Sequence, residues 1–594
     1  MTKTIRRSCT RRDFLHASGG ALTGLGVGTP LLPCGAARPN PAGLKLLAST
    51  DGVELPTKDS GHMKFSFSWP EPSVEFGGLL FGFELLSYEN TYAIDPAQVS
   101  VTRRGDHLTL SAHSFTWAGG QEKVGGHLEV TIKRLPDGAL EWSVLSNFHQ
   151  PVKALKTIVR HLPRGRLSKA ADHWQDPGAR EMTFEYPDLM GGMATPLVAL
   201  EEKGGRVWAI SALQTEVRPA RFYFRPDATG YKVELISEMA AWDRRGDVRT
   251  PTWRIGSGAS FEGAVEPHFS HLARAYVLPA FKTRADAPHW MKHTGLVLSL
   301  HGQHWSGRIF NDYARQLEIL RWASTKMEPA KVMVFLAGWD ARYYWDYPRF
   351  DVDPRMGGEI AFRRLVSEGQ RLGFRFLLMF GANIANPAAP GFRKIAHARA
   401  RTAYGEPVSA SFVDWDGDRK GDASMALMNL AVRGWRDHLR ARIAAMIATY
   451  RVDAYFLDIC GFWENNPDGD MFVGTQKLIN SLATRYPGIP AVAEMQYDAL
   501  MGITPMSHAP RYPLYPKGYY DHVASFAHLS HRAPGRGSTG VHEAGFRAYQ
   551  PVSLTQREIP TITFVDDTFD LWRHLVEADI DTARRRLIER GGLT

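Results

Sequence analysis

The chain has 594 residues, of which 44% are hydrophobic, 22% charged and 11% aromatic. That composition excludes collagen-like and disordered classes, and the length supplies ample material for more than one buried core. Of the formal charge of +9, +4 lies at the front, where Lys3, Arg6, Arg7, Arg11 and Arg12 face only Asp13. No dense Lys/Arg stripe follows, which argues against nucleic acid as a partner.

Residues 10–15 read Thr-Arg-Arg-Asp-Phe-Leu, and a weakly apolar, glycine-rich stretch runs from Gly19 to Leu32. Paired arginines ahead of such a stretch resemble a twin-arginine export signal, an address read by a receptor. The stretch is too short and too rich in glycine to cross ~30 Å of hydrocarbon. The expectation is a signal over residues 1–36, a periplasmic or secreted destination, and no integral membrane segment in the mature chain. Leu31-Leu32-Pro33-Cys34 resembles a lipoprotein cleavage box with proline where a small residue belongs, so a lipid anchor on Cys34 is the lesser alternative. Of Cys9, Cys34 and Cys460 only the last remains after cleavage. One cysteine permits neither an internal disulfide nor a cysteine-based zinc site.

From about Gly52 to Ala280 the texture is that of antiparallel strands. Met63–Trp69 and His127–Ile132 alternate apolar and polar residues, and Ala139–Leu145, Arg206–Ala212, Arg221–Phe224, Tyr231–Ile236 and Thr252–Ile255 read similarly. A period of two marks half-buried strands. Leu135-Pro136-Asp137-Gly138 and Arg225-Pro226-Asp227 are turn signals between them. Many short strands with little helical periodicity predict an all-β sandwich over residues 50–285.

After His289 short apolar runs alternate with helical segments. The runs are Leu296–Leu300, Lys331–Leu336, Phe374–Phe380, Ala454–Leu457, Ala491–Ala493 and Thr561–Phe564; the helices include Leu427–Tyr450 and Phe472–Arg485. Buried strands separated by amphipathic helices imply a parallel sheet. A length near 300 residues suits a (β/α)8 TIM barrel over residues 289–594, and the glycine-rich phosphate loop of a doubly wound sheet is missing. Strands six and seven fall somewhere between Pro505 and Pro551.

Catalytic groups of a barrel collect at the C-terminal ends of its strands. There the sequence places His301 and His304, then Trp339 and Asp340, then Asn383 and Asn386. Asp458 ends the fourth run, Glu494 the fifth, and Asp566 and Asp567 the eighth. Asp458 and Glu494 are 36 positions apart, room for one loop, one helix and a return to the neighbouring strand. Adjacent parallel strands lie ~4.8 Å apart, so the two carboxyl groups can meet. Retaining glycosidases need two carboxyls ~5–5.5 Å apart, whereas inverting ones leave room for water. Asp458, short and ionised, suits the nucleophile; Glu494, longer and with a raised pKa, suits the acid/base. Trp339, Tyr343, Tyr344, Trp345, Trp463 and Tyr497 are candidate stacking faces for sugar rings. His301, His304, Asp340, Asn383 and Asp567 are candidate hydroxyl partners. No organic cofactor is implied. His528, His531, His542 and Glu543 match no familiar metal-site spacing. Asp414, Asp416, Asp418 and Asp422 lack the closing glutamate of a calcium loop. Asp453, at the start of its strand, faces the other rim.

Three passages carry a resemblance: Phe335-Leu336-Ala337-Gly338-Trp339-Asp340, Trp435–Tyr450 leading into Val452–Asp458, and Ala491-Val492-Ala493-Glu494. They resemble retaining α-glycosidases with a (β/α)8 barrel. The preceding sandwich brings the chain nearer to the endo-α-N-acetylgalactosaminidases and their bacterial relatives than to the α-amylase clan. The resemblance implies hydrolysis of an α-linked glycan with retention, Asp458 as nucleophile and Glu494 as acid/base. The arginine that amylases carry two positions before the nucleophile is Phe456 here, which departs from starch specificity. Two other readings of the strand ends stay open: a metal-dependent lyase or isomerase, and a glycan-binding protein without catalysis.

Overall fold

The computed structural model describes residues 44–56, 62–169, 174–188, 193–228, 230–304, 307–342, 344–413, 423–494, 497–509, 521–527, 558–565 and 568–589. The signal expected over residues 1–36, including Cys9 and Cys34, lies outside them. Among the described residues no helix is long and apolar enough to cross a membrane.

The alternating segments form two antiparallel layers. One runs through His62–Phe76, Leu79–Ser87, Val152–Leu162, Tyr231–Glu238, Ala220–Pro226 and Met182–Tyr186. The other runs through Val99–Arg104, His107–Trp117, Glu122–Arg134, Leu140–Asn147, Thr252–Gly258, Val207–Leu213, Leu197–Glu202 and Gly165–Ser168. Thr91–Ile94 pairs with a strand of each. The layers meet through aromatic side chains: Trp142 lies 5.3 Å from Phe81, and Trp253 lies 5.3 Å from Phe222. Each indole N–H crosses to the opposite layer, Trp142 to Thr157 at 3.1 Å and Trp253 to Ser237 at 3.0 Å. A buried indole thus keeps its one donor satisfied while its rings fill the core. The Leu135–Gly138 turn closes as expected, with Gly138 at φ 82° and the Leu135 amide donating to the Ala139 carbonyl at 2.8 Å.

The β texture ends earlier than the sequence suggested. After Gly258 the chain forms a helix, Phe261–Ala275, capped by the Ser260 hydroxyl on the Gly263 amide. Its Ala264 and Val265 pack against Leu197, Ala199, Val207 and Ala209 on the outside of the sandwich.

The barrel strands are β1 (Leu296–Leu300), β2 (Val332–Leu336), β3 (Arg375–Gly381), β4 (Ala454–Asp458), β5 (Ala491–Glu494), β6 (Met506–Ala509), β7 (Ala524–Ala527) and β8 (Glu558–Ile559 continued by Thr561–Phe564). All neighbours are parallel. Only Pro560, which has no amide hydrogen, interrupts β8. Its first part pairs with β7 and its second with β1, so the ring closes. Helices Tyr313–Ala323, Gly358–Leu372, Arg433–Tyr450, Met471–Arg485 and Arg573–Glu589 lie between or after the strands. The helix expected from Leu427 begins at Arg433. Before it, Ala423–Leu427 joins Ile384–Ala385 and Ser409–Val413 in a small antiparallel sheet. The Asn429 side chain then accepts from the Ala431 amide and turns the chain.

Candidate active site

Barrel geometry decides where the strand-end carboxyls point. The Phe456 ring on β4 lies 4.8 Å from Phe335 on β2 and 5.5 Å from His508 on β6, so it faces the barrel interior. Two residues on, Asp458 takes the same side, one layer nearer the C-terminal mouth. Leu457 is in register with Ala493, which sets Glu494 of β5 beside Asp458. The two carboxyls are close enough for each to shift the other's proton affinity. Below them lies an apolar floor of Phe335, Phe456 and Phe526, closed on one side by His508.

Ile459 donates its amide to Glu494 Oε2 at 2.7 Å, and His508 Nδ1 lies 4.0 Å from Oε1. The Tyr344 side chain hydrogen-bonds to Asp458. Burial is the main force on both acids and raises both pKa values. The Glu494 charge pushes Asp458 well above the ordinary carboxylate range, while the Ile459 amide and Asp458 moderate the rise at Glu494. Two buried carboxyls in contact cannot both ionise, so the resting pair shares one proton. The sequence expectation of a freely ionised Asp458 beside a protonated Glu494 is modified accordingly.

Other expected binding residues follow the ends of β1, β2 and β3. Asn383, just past β3, donates to the Ile459 carbonyl at 3.0 Å. Its buried Oδ1 has no hydrogen-bond partner among the described residues. Asp340, just past β2, is buried, and its pKa is pushed up to about 8, chiefly by burial and further by Asp346 and Asp353, against Arg349. His301 at the end of β1 sits 3.2 Å from the Ala337 carbonyl through Nδ1. Both His301 and His304 pack against Phe310, at 5.2 and 5.5 Å.

The aromatic residues require correction. Trp339 is packed between Phe362 and Phe380, each at 5.6 Å, and its N–H donates to the Met379 carbonyl at 2.9 Å. It braces the barrel wall and offers no face to a sugar. Trp463 turns toward the sandwich, with its ring 6.4 Å from Trp242 and its N–H on Asp470. Tyr497 is buried 6.3 Å from Phe472. Apolar area outweighed a ligand role in all three. Asp453 braces the opposite rim, accepting from Arg375 at 3.0 Å and from the Phe376 amide at 2.9 Å.

Tyr343 and Asp567 lie outside the described residues, as do Asp566, His528, His531, His542, Glu543, Asp414, Asp416, Asp418 and Asp422. Among the described residues no three His, Cys, Asp or Glu side chains group as a metal cage. Sequence reasoning missed His508, because β6 carries no recognisable apolar run, and gave Tyr344 a stacking role where the structure gives it a hydrogen bond.

No protein-family model matches the chain, and no curated protein sequence matches it. Solved structures do. The α-N-acetylgalactosaminidase NagBb from Bifidobacterium bifidum, solved with GalNAc, superposes with a TM-score of 0.59 at 14% identity, over 78% of this chain and 83% of its own. The fold is that of solved α-glycosidases. The GH36 α-galactosidase AgaA from Geobacillus stearothermophilus, solved with raffinose, matches 94% of this chain and 77% of its own, with a TM-score of 0.50 at 10% identity. The galactosidase domain of the α-galactosidase-sucrose kinase AgaSK gives 0.50 at 12% identity, over 90% and 74%. The α-glycosidase fold therefore extends over both sandwich and barrel.

Proposed function

We propose that the chain is a glycoside hydrolase acting on an α-linked sugar with retention, with Asp458 as nucleophile and Glu494 as acid/base. The observation that carries this reading is the contact of two buried carboxyls at the C-terminal ends of adjacent barrel strands. Adjacent strand ends suit the ~5–5.5 Å spacing of a working retaining pair. A substrate sits with the anomeric carbon against Asp458 and the glycosidic oxygen against Glu494. The shared proton then goes to Glu494. Asp458 attacks the anomeric carbon as Glu494 protonates the leaving oxygen, and the sugar becomes an ester of Asp458. Water next attacks that carbon, giving its proton to the Glu494 carboxylate while the bonding pair returns to Asp458. Oδ1 of Asn383, unpartnered among the described residues, supports a role in accepting a sugar hydroxyl's hydrogen bond. The twin-arginine segment supports export to the periplasm or beyond, and an oligo- or polysaccharide or glycoconjugate is the expected partner.

The test is a panel of 4-nitrophenyl α-glycosides that includes the galactoside and the N-acetylgalactosaminide. Wild type should release nitrophenol, and Asp458→Asn and Glu494→Gln should each lose at least about 10³-fold in turnover, consistent with loss of the nucleophile or of acid/base assistance. Proton NMR should detect the α-anomer first. A β-anomer as first product overturns retention, and full activity in both variants overturns the site.

A further inference from the structure

Glu494 holds its two oxygens in different surroundings. Oε2 is taken by the Ile459 amide at 2.7 Å, while Oε1 faces His508 Nδ1 at 4.0 Å. Glu494 and His508 are register partners on β5 and β6, so their side chains leave the sheet on the same side at the same level. The imidazole is stacked on Phe526 at 4.7 Å with 28° between planes, and Phe335 and Phe456 lie 6.1 and 5.5 Å from it. Those neighbours from β7, β2 and β4 hold the ring but carry no charge. Among the described residues, the titratable groups facing Glu494 are Asp458 on β4, Cys460 just beyond it, and His508 on β6.

We propose that His508 is a positioning residue for Glu494, holding Oε1 through its Nδ1–H once Asp458 is no longer a partner. This rests on the acid/base reading of Glu494. Once Asp458 is esterified to the sugar it has no proton to share, and Glu494 stands as a carboxylate that must be aimed at water. The Ile459 amide fixes one oxygen. A slight rotation closes the gap to His508 and fixes the other, leaving a lone pair for the water proton. When water attacks the anomeric carbon, that proton passes to Glu494, the C–O bond to Asp458 breaks with its electron pair, and the imidazole is unchanged.

The test compares His508→Phe, His508→Asn and His508→Gln on the most active 4-nitrophenyl α-glycoside of the panel. Phe keeps the stacking and removes the donor; Asn places an amide N–H where Nδ1 was; Gln places one where Nε2 was. Loss of a hydrogen bond to a charged group should lower kcat about tenfold in His508→Phe and His508→Gln. The fall in kcat/KM should be smaller, because the second step suffers most. A carboxylate deprived of a donor is harder to ionise, so the acid limb of kcat, set by Glu494 acting as base in the second step, should move up by about one pH unit in both. His508→Asn should keep the wild-type limb. Unchanged limbs in His508→Gln, or equal losses in His508→Asn and His508→Gln, overturn the proposal, and these two polar variants decide it even if the Phe variant does not fold. If Glu494→Gln itself keeps wild-type kcat, the acid/base reading fails instead, so the two failures are distinct.

Discussion

Ile459 donates its amide to Oε2 of Glu494 at 2.7 Å while its own φ is 57°. A β-branched residue in the left-handed region is a steric outlier, with a cost on the order of 1–3 kcal/mol. The conformation persists because it turns the chain sharply after Asp458 and aims the amide across to β5. Glycine meets no such penalty, whereas alanine does. Both substitutions lose the same buried side chain apart from one methyl group. Ile459→Gly should therefore unfold at higher urea than Ile459→Ala, by about 1 kcal/mol. The reverse order would mean that the turn holds no strain.

Chemical rescue separates the two carboxyls. In Asp458→Gly, azide can take the place of the nucleophile, and a single displacement gives a β-glycosyl azide from an α-glycoside. In Glu494→Ala the ester still forms from a substrate with a good leaving group, and azide then replaces water in the second displacement, giving the α-azide. Product anomers read by NMR check the assignment. Exchanged outcomes would interchange the two roles.

Asp340 makes stability depend on pH. Its folded pKa of about 8 lies above the ~3.9 of an unfolded aspartate, so the folded state binds the proton more tightly. Its contribution is fully present below about pH 4 and is lost as pH rises toward about 8. Asp340→Asn removes the titration. The variant should gain on wild type between pH 5 and pH 8.5, by up to a few kcal/mol, in urea unfolding. A constant gap across that range would show that burial does not govern this carboxyl.

The sandwich holds the segment that follows Glu494. Asp498 accepts from the Tyr186 hydroxyl and from Thr195 Oγ1, the latter at 3.0 Å, and donates its amide to the Ala194 carbonyl at 2.8 Å. Removing one donor leaves a buried carboxyl under-satisfied. Tyr186→Phe and Thr195→Val should each cost about 1–3 kcal/mol. The double variant should fall short of additivity because both act on one group. Additive losses in denaturant titrations would mean the two hydroxyls work independently.

Much of the architecture was legible along the chain. Period-two alternation identified the sandwich strands, and six compact apolar runs identified barrel strands, because each pattern depends on residues a few positions apart. Asp458 and Glu494 were legible too, since each closes such a run. β6 and β7 were not. Met-Ser-His-Ala and Ala-Ser-Phe-Ala are short and half polar, and only their neighbours in the ring make them strands.

The sequence alone therefore determined the strand periodicity, the order of sandwich before barrel and the acids at the strand ends. The tertiary structure decided which side chains face the cavity. Trp339 and Trp463 follow strand ends as plainly as Asp458 does, yet one is enclosed by Phe362 and Phe380 and the other turns to Trp242. Periodicity is a property of neighbouring residues, whereas facing depends on what distant segments place on each side. That is why β6 could bring His508 beside Glu494 without any local sign of it.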